Sequence, residues 1–141
     1  TSDPASRLGQ SPLRSPSVFN FFRPGYIPPS AFIGQRTAPE FQIITETSVA
    51  GYINFMQGVI SNGIASLKAN YSALLPLATD SSKLLAELNT SLAGGQLSST
   101  TIANFKTALD SIATSTSTGQ NNRIYAAILL VMACPEYLTQ K

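Results

Sequence analysis

Histidine and tryptophan are absent from this sequence of 141 residues, and cysteine occurs once, at Cys134. Without histidine, the chain cannot form a Ser-His-Asp or Cys-His catalytic arrangement by itself, nor a zinc site built from histidine and cysteine. A single cysteine cannot form an internal disulfide, and Cys134 lies in an apolar run, so we expect it to be a small core residue. These absences exclude the commonest hydrolase mechanisms from this chain alone.

Charge is also scarce. Charged residues make up 11% of the sequence, against about 25% in an average soluble protein. The formal net charge of +2 is too small to predict a nucleic-acid partner, which requires a dense basic face. No two acidic residues have a spacing that would place both carboxylates on one face of a helix, as a paired acid and base would require. The glycines form neither a GxGxxG motif nor a Walker loop. We therefore expect no catalytic, metal-binding or cofactor-binding residues and no small-molecule ligand.

Proline divides the chain into two parts. Seven of the nine prolines lie at or before Pro39, and the composition beyond that point is typical of helices. The sequence predicts an irregular docking arm at residues 1–45 and a helical bundle at residues 46–141. Within the arm, Ser15 is a candidate N-cap of one short helix, which Pro24 must end.

Aromatic residues are concentrated in this proline-rich arm. A segment broken by prolines can bury its rings only by lying across a surface formed elsewhere, because it cannot build a continuous apolar stripe of its own. We therefore predict that the rings anchor the arm to helices or to another protein. The predicted anchors are Phe19, Phe21, Phe22, Tyr26 and Phe32.

Apolar residues recur at helical spacing through the rest of the chain. No alternating β pattern occurs apart from residues 41–44 (FQII), which is too short for a sheet, so the predicted fold class is all-α, a bundle of about four helices. The last helix is apolar nearly all round and should lie at the centre of the bundle. Its apolar run is well short of the ~20 residues of a membrane span, so none is predicted. The predicted helices are Thr47–Asn62, Ser81–Ala93, a helix from Ser98 or Ser99 to about Ile112, and Asn122–Ala133.

Local residues predict where these helices begin and end. Asp80 is a candidate N-cap of the second helix, and Gly94 with Gly95 should stop it. Residues 114–122 (TSTSTGQNN) are predicted to be a linker. Pro135 should end the fourth helix or begin a short terminal turn.

Arg123 is placed near the start of the very apolar fourth helix. A positive charge at a helix N-terminus is unfavourable for the helix dipole. We therefore predict that Arg123 forms an ion pair with a carboxylate, for which Glu40 and Glu46 are the candidates.

Three separated blocks of sequence resemble one bacterial family. They are LGQSPLRSPSVFNFFRPGY at residues 8–26, APEFQIITETSVAGYINFM at 38–56 and NRIYAAILLVMACPEYLTQK at 122–141. Their order and content resemble the C-terminal part of the domain-of-unknown-function 1800 family, over essentially the whole chain. Cys134 stands where that family usually has serine before the proline, a difference that we expect to affect only a helix end.

The resemblance implies a longer parent protein. Members are typically several hundred residues long, helical and exported through a signal peptide, and the histidines of the family pattern lie upstream of these blocks. We therefore expect a periplasmic or extracellular bacterial location. The chain starts at Thr1 without an initiator methionine, and we expect this start to be a cut.

Two classes of function follow from the residues and the resemblance together. The first is a non-catalytic structural or interaction module, whose partner is the upstream part of its parent protein or another protein chain. The alternative is part of an exported hydrolase that acts on an extracellular polymer, with its catalytic residues upstream and this region lining the cleft. Self-assembly through the aromatics of the arm also stays open.

Overall fold

The computed structural model describes residues 9–28 and 36–138 and has an all-α fold with four main helices. This confirms the predicted fold class. Within the described residues the only extended pairing is two isolated bridges, Ser17 with Asn20 and Ile64 with Leu67, and no strand forms. The chain divides into two compact units, Thr1–Met56 and Gln57–Lys141. The division falls within the first long helix, and the predicted domain boundary between residues 45 and 46 stays a prediction.

The first long helix, α1, spans Glu46–Asn62, within one residue of its predicted start. Thr45 and Ser48 cap it reciprocally: the Thr45 N–H donates to Ser48 Oγ at 2.8 Å, and the Ser48 N–H donates to Thr45 Oγ1 at 3.3 Å. This satisfies two backbone donors at the helix start. Gly63 follows the helix at φ +81°, a left-handed conformation that favours glycine.

The second unit is built around α4. The helices α2 (Ser81–Ser91), α3 (Ser99–Asp110) and α4 (Ser117–Ala133) pack against one another, and the short α5 (Pro135–Leu138) packs against α4. A 3-10 helix at Leu75–Leu77 packs against α2 and α4. The central position predicted for the fourth helix is confirmed. The largest fully buried side chains are Leu84, Leu85, Leu109, Ile124 and Val131.

Hydrogen bonds confirm the predicted N-cap of α2 and show that Ser98, one of the two candidates, caps α3. The Asp80 carboxylate accepts from the backbone N–H groups of Ser82 and Lys83, and Ser98 Oγ accepts from the Thr101 N–H. Gly94 and Gly95 follow α2 at φ +58° and +78°. Cys134 is buried, as predicted, and terminates α4, while Pro135 begins α5.

The linker predicted at residues 114–122 is wrong, because α4 begins at Ser117 rather than at Asn122. Thr116 caps the helix by accepting the Gly119 N–H at its Oγ1, 3.1 Å away. The backbone at Gly119 lies against the Ala113 carbonyl, so closely that a Cβ would overlap its oxygen. The low-complexity segment at residues 114–122 therefore contains the start of a helix, and the close packing there requires glycine at position 119.

The short helix predicted between Ser15 and Pro24 does not form. Residues 17–20 make a tight turn instead, in which the Asn20 N–H donates to the Ser17 carbonyl at 3.2 Å and Asn20 has φ +65°. The Ser17 hydroxyl also accepts the Phe19 N–H. Such local side-chain bonds favour turns over helices. Among the described residues of the first unit, Pro39–Gln42 form a 3-10 helix, which overlaps the stretch where the sequence showed only the FQII pattern.

Asp110, at the end of α3, links that helix to α2. Its carboxylate accepts from Ser81 Oγ at 2.5 Å and from Lys106 Nζ at 2.5 Å. The hydrogen bonds from Lys106 and then from Ser81 hold the pKa of Asp110 below its ordinary value. Asp110 therefore stabilises the folded state only while it is ionised.

We expect Asp110→Asn to lower the free energy of unfolding at neutral pH and to have little effect in acid. Because the pKa of Asp110 is lower in the folded state, its contribution is complete above the unfolded value of about 3.9 and disappears as the pH falls through the folded value. Urea denaturation at about pH 7 and about pH 2 measures both conditions. Glu87→Gln, on the exposed side of α2, is the control and should leave the stability at neutral pH unchanged. Equal stability of Asp110→Asn and the unaltered chain at neutral pH would contradict the prediction.

Candidate functional site

The first unit contains an apolar groove of about 670 Å³. Its described lining comes from the arm, from the 3-10 helix at Pro39–Gln42 and the residues after it, and from the first two turns of α1. Phe41, Ile44 and Val49 leave 48%, 60% and 43% of their surface exposed. The lining residues are Tyr26, Pro28, Phe41, Ile44, Thr45, Glu46, Val49, Ala50 and Ile53.

Two long-range hydrogen bonds hold the arm beside the segment that leads into α1. The Arg23 N–H donates to Gln42 Oε1 at 2.7 Å, and the Ala38 N–H donates to the Tyr26 carbonyl at 2.9 Å. Both arm residues lie close to Pro28 in the chain. The groove is therefore formed by tertiary contacts within the first unit and is not a property of one helix.

Ser48 fixes the angle at which the chain enters α1. It is buried, and its hydroxyl donates to the Ile43 carbonyl at 2.7 Å while it also accepts the Thr45 N–H. Residues 43–45 are thereby held in the bend between the 3-10 helix and α1. This bend leaves Ile44 on the open side of the groove, 60% exposed.

The predicted aromatic anchors occupy different environments. Tyr26 is half-buried and lines the groove, Phe21 and Phe22 are half-buried, and Phe19 is 54% exposed. Phe32 lies outside the described residues. Their role as anchors stays a prediction.

Arg123 lies in the second unit, where its side chain is buried within α4. Its Nη1 donates to the Ala78 carbonyl at 3.3 Å and its Nη2 to the Ile112 carbonyl at 2.5 Å, so it joins the end of the 3-10 helix at Leu75–Leu77 to the end of α3. Glu40 and Glu46 lie in the first unit, and both are exposed. Their pairing with Arg123 stays a prediction.

Ser81, Lys106 and Asp110 form a cluster in which a hydroxyl, the potential nucleophile, lies beside an amine, the potential base. Lys106 Nζ lies 3.5 Å from Ser81 Oγ, which in turn donates to Asp110. However, Ser81 is only 3% exposed. A substrate could not reach its hydroxyl, so the cluster serves to join α2 to α3.

The chemistry of the groove suits binding better than catalysis. Glu46 is the one carboxylate among its described lining residues. The part of the chain that the structure describes has no group of three or more histidine, cysteine, aspartate or glutamate residues able to hold a metal ion. In the same residues, no helix is long and apolar enough to cross a membrane.

Sequence reasoning missed Phe41 and Ile44 as groove residues. Both belong to the FQII stretch, whose alternation was considered only as a strand signal. The Thr45-x-x-Ser48 spacing resembles a capping box, except that the Ser48 hydroxyl accepts the Thr45 N–H where a capping box has Glu or Gln. No local signal identified the hydrogen bonds between the arm and residues 38–42.

Comparison with known proteins gives one result. The family model described as "Protein of unknown function (DUF1800)" matches residues 1–139. No curated protein and no solved structure shows significant similarity to the chain. The match covers nearly the whole sequence, and it includes both the groove of the first unit and the helices of the second. The chain therefore belongs to the DUF1800 family, whose function is unknown.

Proposed function

We propose that this chain is a non-catalytic interaction module, the C-terminal helical region of an exported bacterial protein, and that it docks another protein surface in the groove of the first unit. The observation that carries the proposal is the exposure of neighbouring apolar side chains along that groove, above all Ile44 and Phe41. Exposed apolar surface is costly in water and commonly marks a site of protein contact.

The upstream part of the parent protein is the partner that we propose. The groove is nearly neutral, since Glu46 is the one charged residue among its described lining residues, and this suits an apolar helix better than a charged partner. Helices in the longer members of the family would supply such a surface, as the resemblance implies. Covering Phe41, Ile44 and Val49 would remove apolar area from water and stabilise the complex.

The test is the affinity of this chain for a separately produced upstream part of the same gene product. We expect the two to form a one-to-one complex in native mass spectrometry, and we expect Ile44→Asp to weaken binding at least tenfold by placing a charge in the groove. Val18→Asp is the matched control, because Val18 is 95% exposed but does not line the groove. Both substitutions are at exposed positions, so neither should prevent folding.

Two results would refute the docking proposal. One is the absence of any complex between the two parts at micromolar concentration. The other is equal weakening by Ile44→Asp and Val18→Asp, which would indicate a general effect of added charge. Export is tested separately by fractionating the source bacterium and detecting the chain in the periplasm or medium.

A further inference from the structure

The second unit has two shallow hollows that lie beside a pair of tyrosines. One, of about 300 Å³, is lined by Tyr125, and the other, of about 370 Å³, is lined by Tyr71. The two rings contact each other edge to face, with centroids 5.4 Å apart and planes at 60°. Because the rings touch, the two hollows lie beside one aromatic pair, each of them lined by one of its rings.

A hydrogen bond holds Tyr71, one member of the tyrosine pair, in place. The Tyr71 hydroxyl donates to the Ile60 carbonyl at 2.9 Å, which ties the loop before α2 to the end of α1. Burial, and then the neighbouring Tyr125, raise the pKa of Tyr71, so the ring stays neutral. Tyr125 is half-buried on α4, between the central core and the surface. The pair is thus a fixed aromatic feature at a surface, held by two different elements.

Side-chain amides surround this aromatic pair. Gln57 and Asn122 line the hollow beside Tyr125, while Asn70 and Asn121 line the hollow beside Tyr71. The Asn70 carbonyl oxygen accepts the Ser72 N–H at 3.0 Å, which orients its amide and leaves the NH₂ group to donate elsewhere. Each hollow therefore combines one tyrosine ring with two amides, each of which carries both donors and an acceptor.

Charge is nearly absent from the two hollows. Lys68 is the one charged side chain among their described lining residues. A phosphate or carboxylate ligand is recognised by several cationic groups or a bidentate arginine, which this surface lacks. A purely apolar ligand would leave the amides without hydrogen bonds and would bind poorly.

We propose that these two hollows bind a neutral oligosaccharide. A pyranose ring has a C–H face that packs on an aromatic ring and a rim of hydroxyls that both donate and accept hydrogen bonds. Tyrosine rings with Asn and Gln amides match both features. The two hollows would accept neighbouring sugar units of one chain. This site lies in the second unit and is independent of the docking groove, so either proposal can fail alone.

The test is NMR titration of the whole chain with cellotetraose, maltotetraose and the tetramer of N-acetylglucosamine. We expect at least one of them to shift the side-chain amide signals of Asn121, Asn122 and Gln57, with a dissociation constant in the micromolar to low millimolar range. Tyr125→Leu keeps apolar packing but removes the aromatic ring, and it should weaken binding at least tenfold. Asn122→Ala should weaken it several-fold.

Matched controls separate a local effect from a loss of structure. Tyr137→Leu removes a half-buried tyrosine outside both hollows, and Asn104→Ala removes an exposed amide on α3. Both controls should bind the sugar as the unaltered chain does. The proposal is overturned if none of the tetrasaccharides shifts these signals, or if Tyr125→Leu binds as tightly as Tyr137→Leu. Tighter binding of oligogalacturonate, or of a neutral Gly-Ser-Asn peptide, would also overturn it.

Discussion

Replacing Arg123 with methionine is expected to lower the free energy of unfolding of the second unit by about 2–4 kcal/mol, as hydrogen bonds to a charged group are lost and carbonyls are left unsatisfied. Arg123 is only 6% exposed and donates to the carbonyls of Ala78 and Ile112. Ala78 is fully buried, so water cannot readily replace the guanidinium at its carbonyl. Methionine fills a similar volume without donating.

Part of this loss is offset. Burying a guanidinium is costly, and its Nε atom is buried without a hydrogen-bond partner among the described residues. Methionine removes that cost. We therefore expect the loss of stability to be smaller than the summed contributions of two hydrogen bonds from a charged group. Arg123→Lys should also destabilise, because a single ammonium cannot reproduce the two directions of the guanidinium fork.

Urea denaturation followed by circular dichroism measures these differences. Lys83→Met removes a positive charge from an exposed side chain on α2 and is the control, with an expected change within about 0.5 kcal/mol. If Arg123→Met were as stable as Lys83→Met, the two carbonyl bonds would contribute nothing to stability. Arg123 would then be a tolerated buried charge.

Two glycine-to-alanine substitutions are expected to act in opposite directions. At Gly119 a Cβ would overlap the Ala113 carbonyl oxygen, and that oxygen belongs to the backbone and cannot simply rotate away. We expect Gly119→Ala to destabilise by about 1–3 kcal/mol, as overpacked sites do. The strain would either displace residues 113–116 or unwind the first turn of α4.

Gly58→Ala is the matched substitution in α1. Apart from its chain neighbours and the nearby backbone of its own helix, no described atom lies within 4 Å of the position that its Cβ would take. Because alanine is the better helix former, Gly58→Ala should stabilise by roughly 0.5–1 kcal/mol. Thermal and urea unfolding of both variants measure the difference. Two changes of the same sign would show that the close approach at Gly119 does not govern the start of α4.

The sequence predicts the helices of this protein best where a helix depends on its own residues. The periodic apolar positions of α1, α2 and α3 lie within single helices, and their starts are close to the predictions. Asp80 and Ser98 cap their helices through bonds that reach only two or three residues along the chain. Such short-range interactions can be predicted from residues that are neighbours in the sequence.

The predictions failed where distant or low-complexity residues decide the conformation. The start of α4 depends on a close approach between Gly119 and Ala113, and no composition rule distinguishes this from a flexible linker. The short helix predicted from Ser15 was wrong, because the Ser17 hydroxyl and the positive φ of Asn20 favour a turn.

The amino-acid sequence alone was enough to predict the all-α class, the N-cap of α2, the burial of Cys134 and the impossibility of histidine chemistry within this chain. The remaining features depend on tertiary contacts. Arg123 meets the carbonyl of Ala78, 45 positions away in the chain, and the arm meets Gln42 through Arg23, 19 positions away. The tyrosine pair joins Tyr71 to Tyr125 from different elements. Such contacts form only after the chain has folded, because a local pattern does not specify which distant surface will adjoin it.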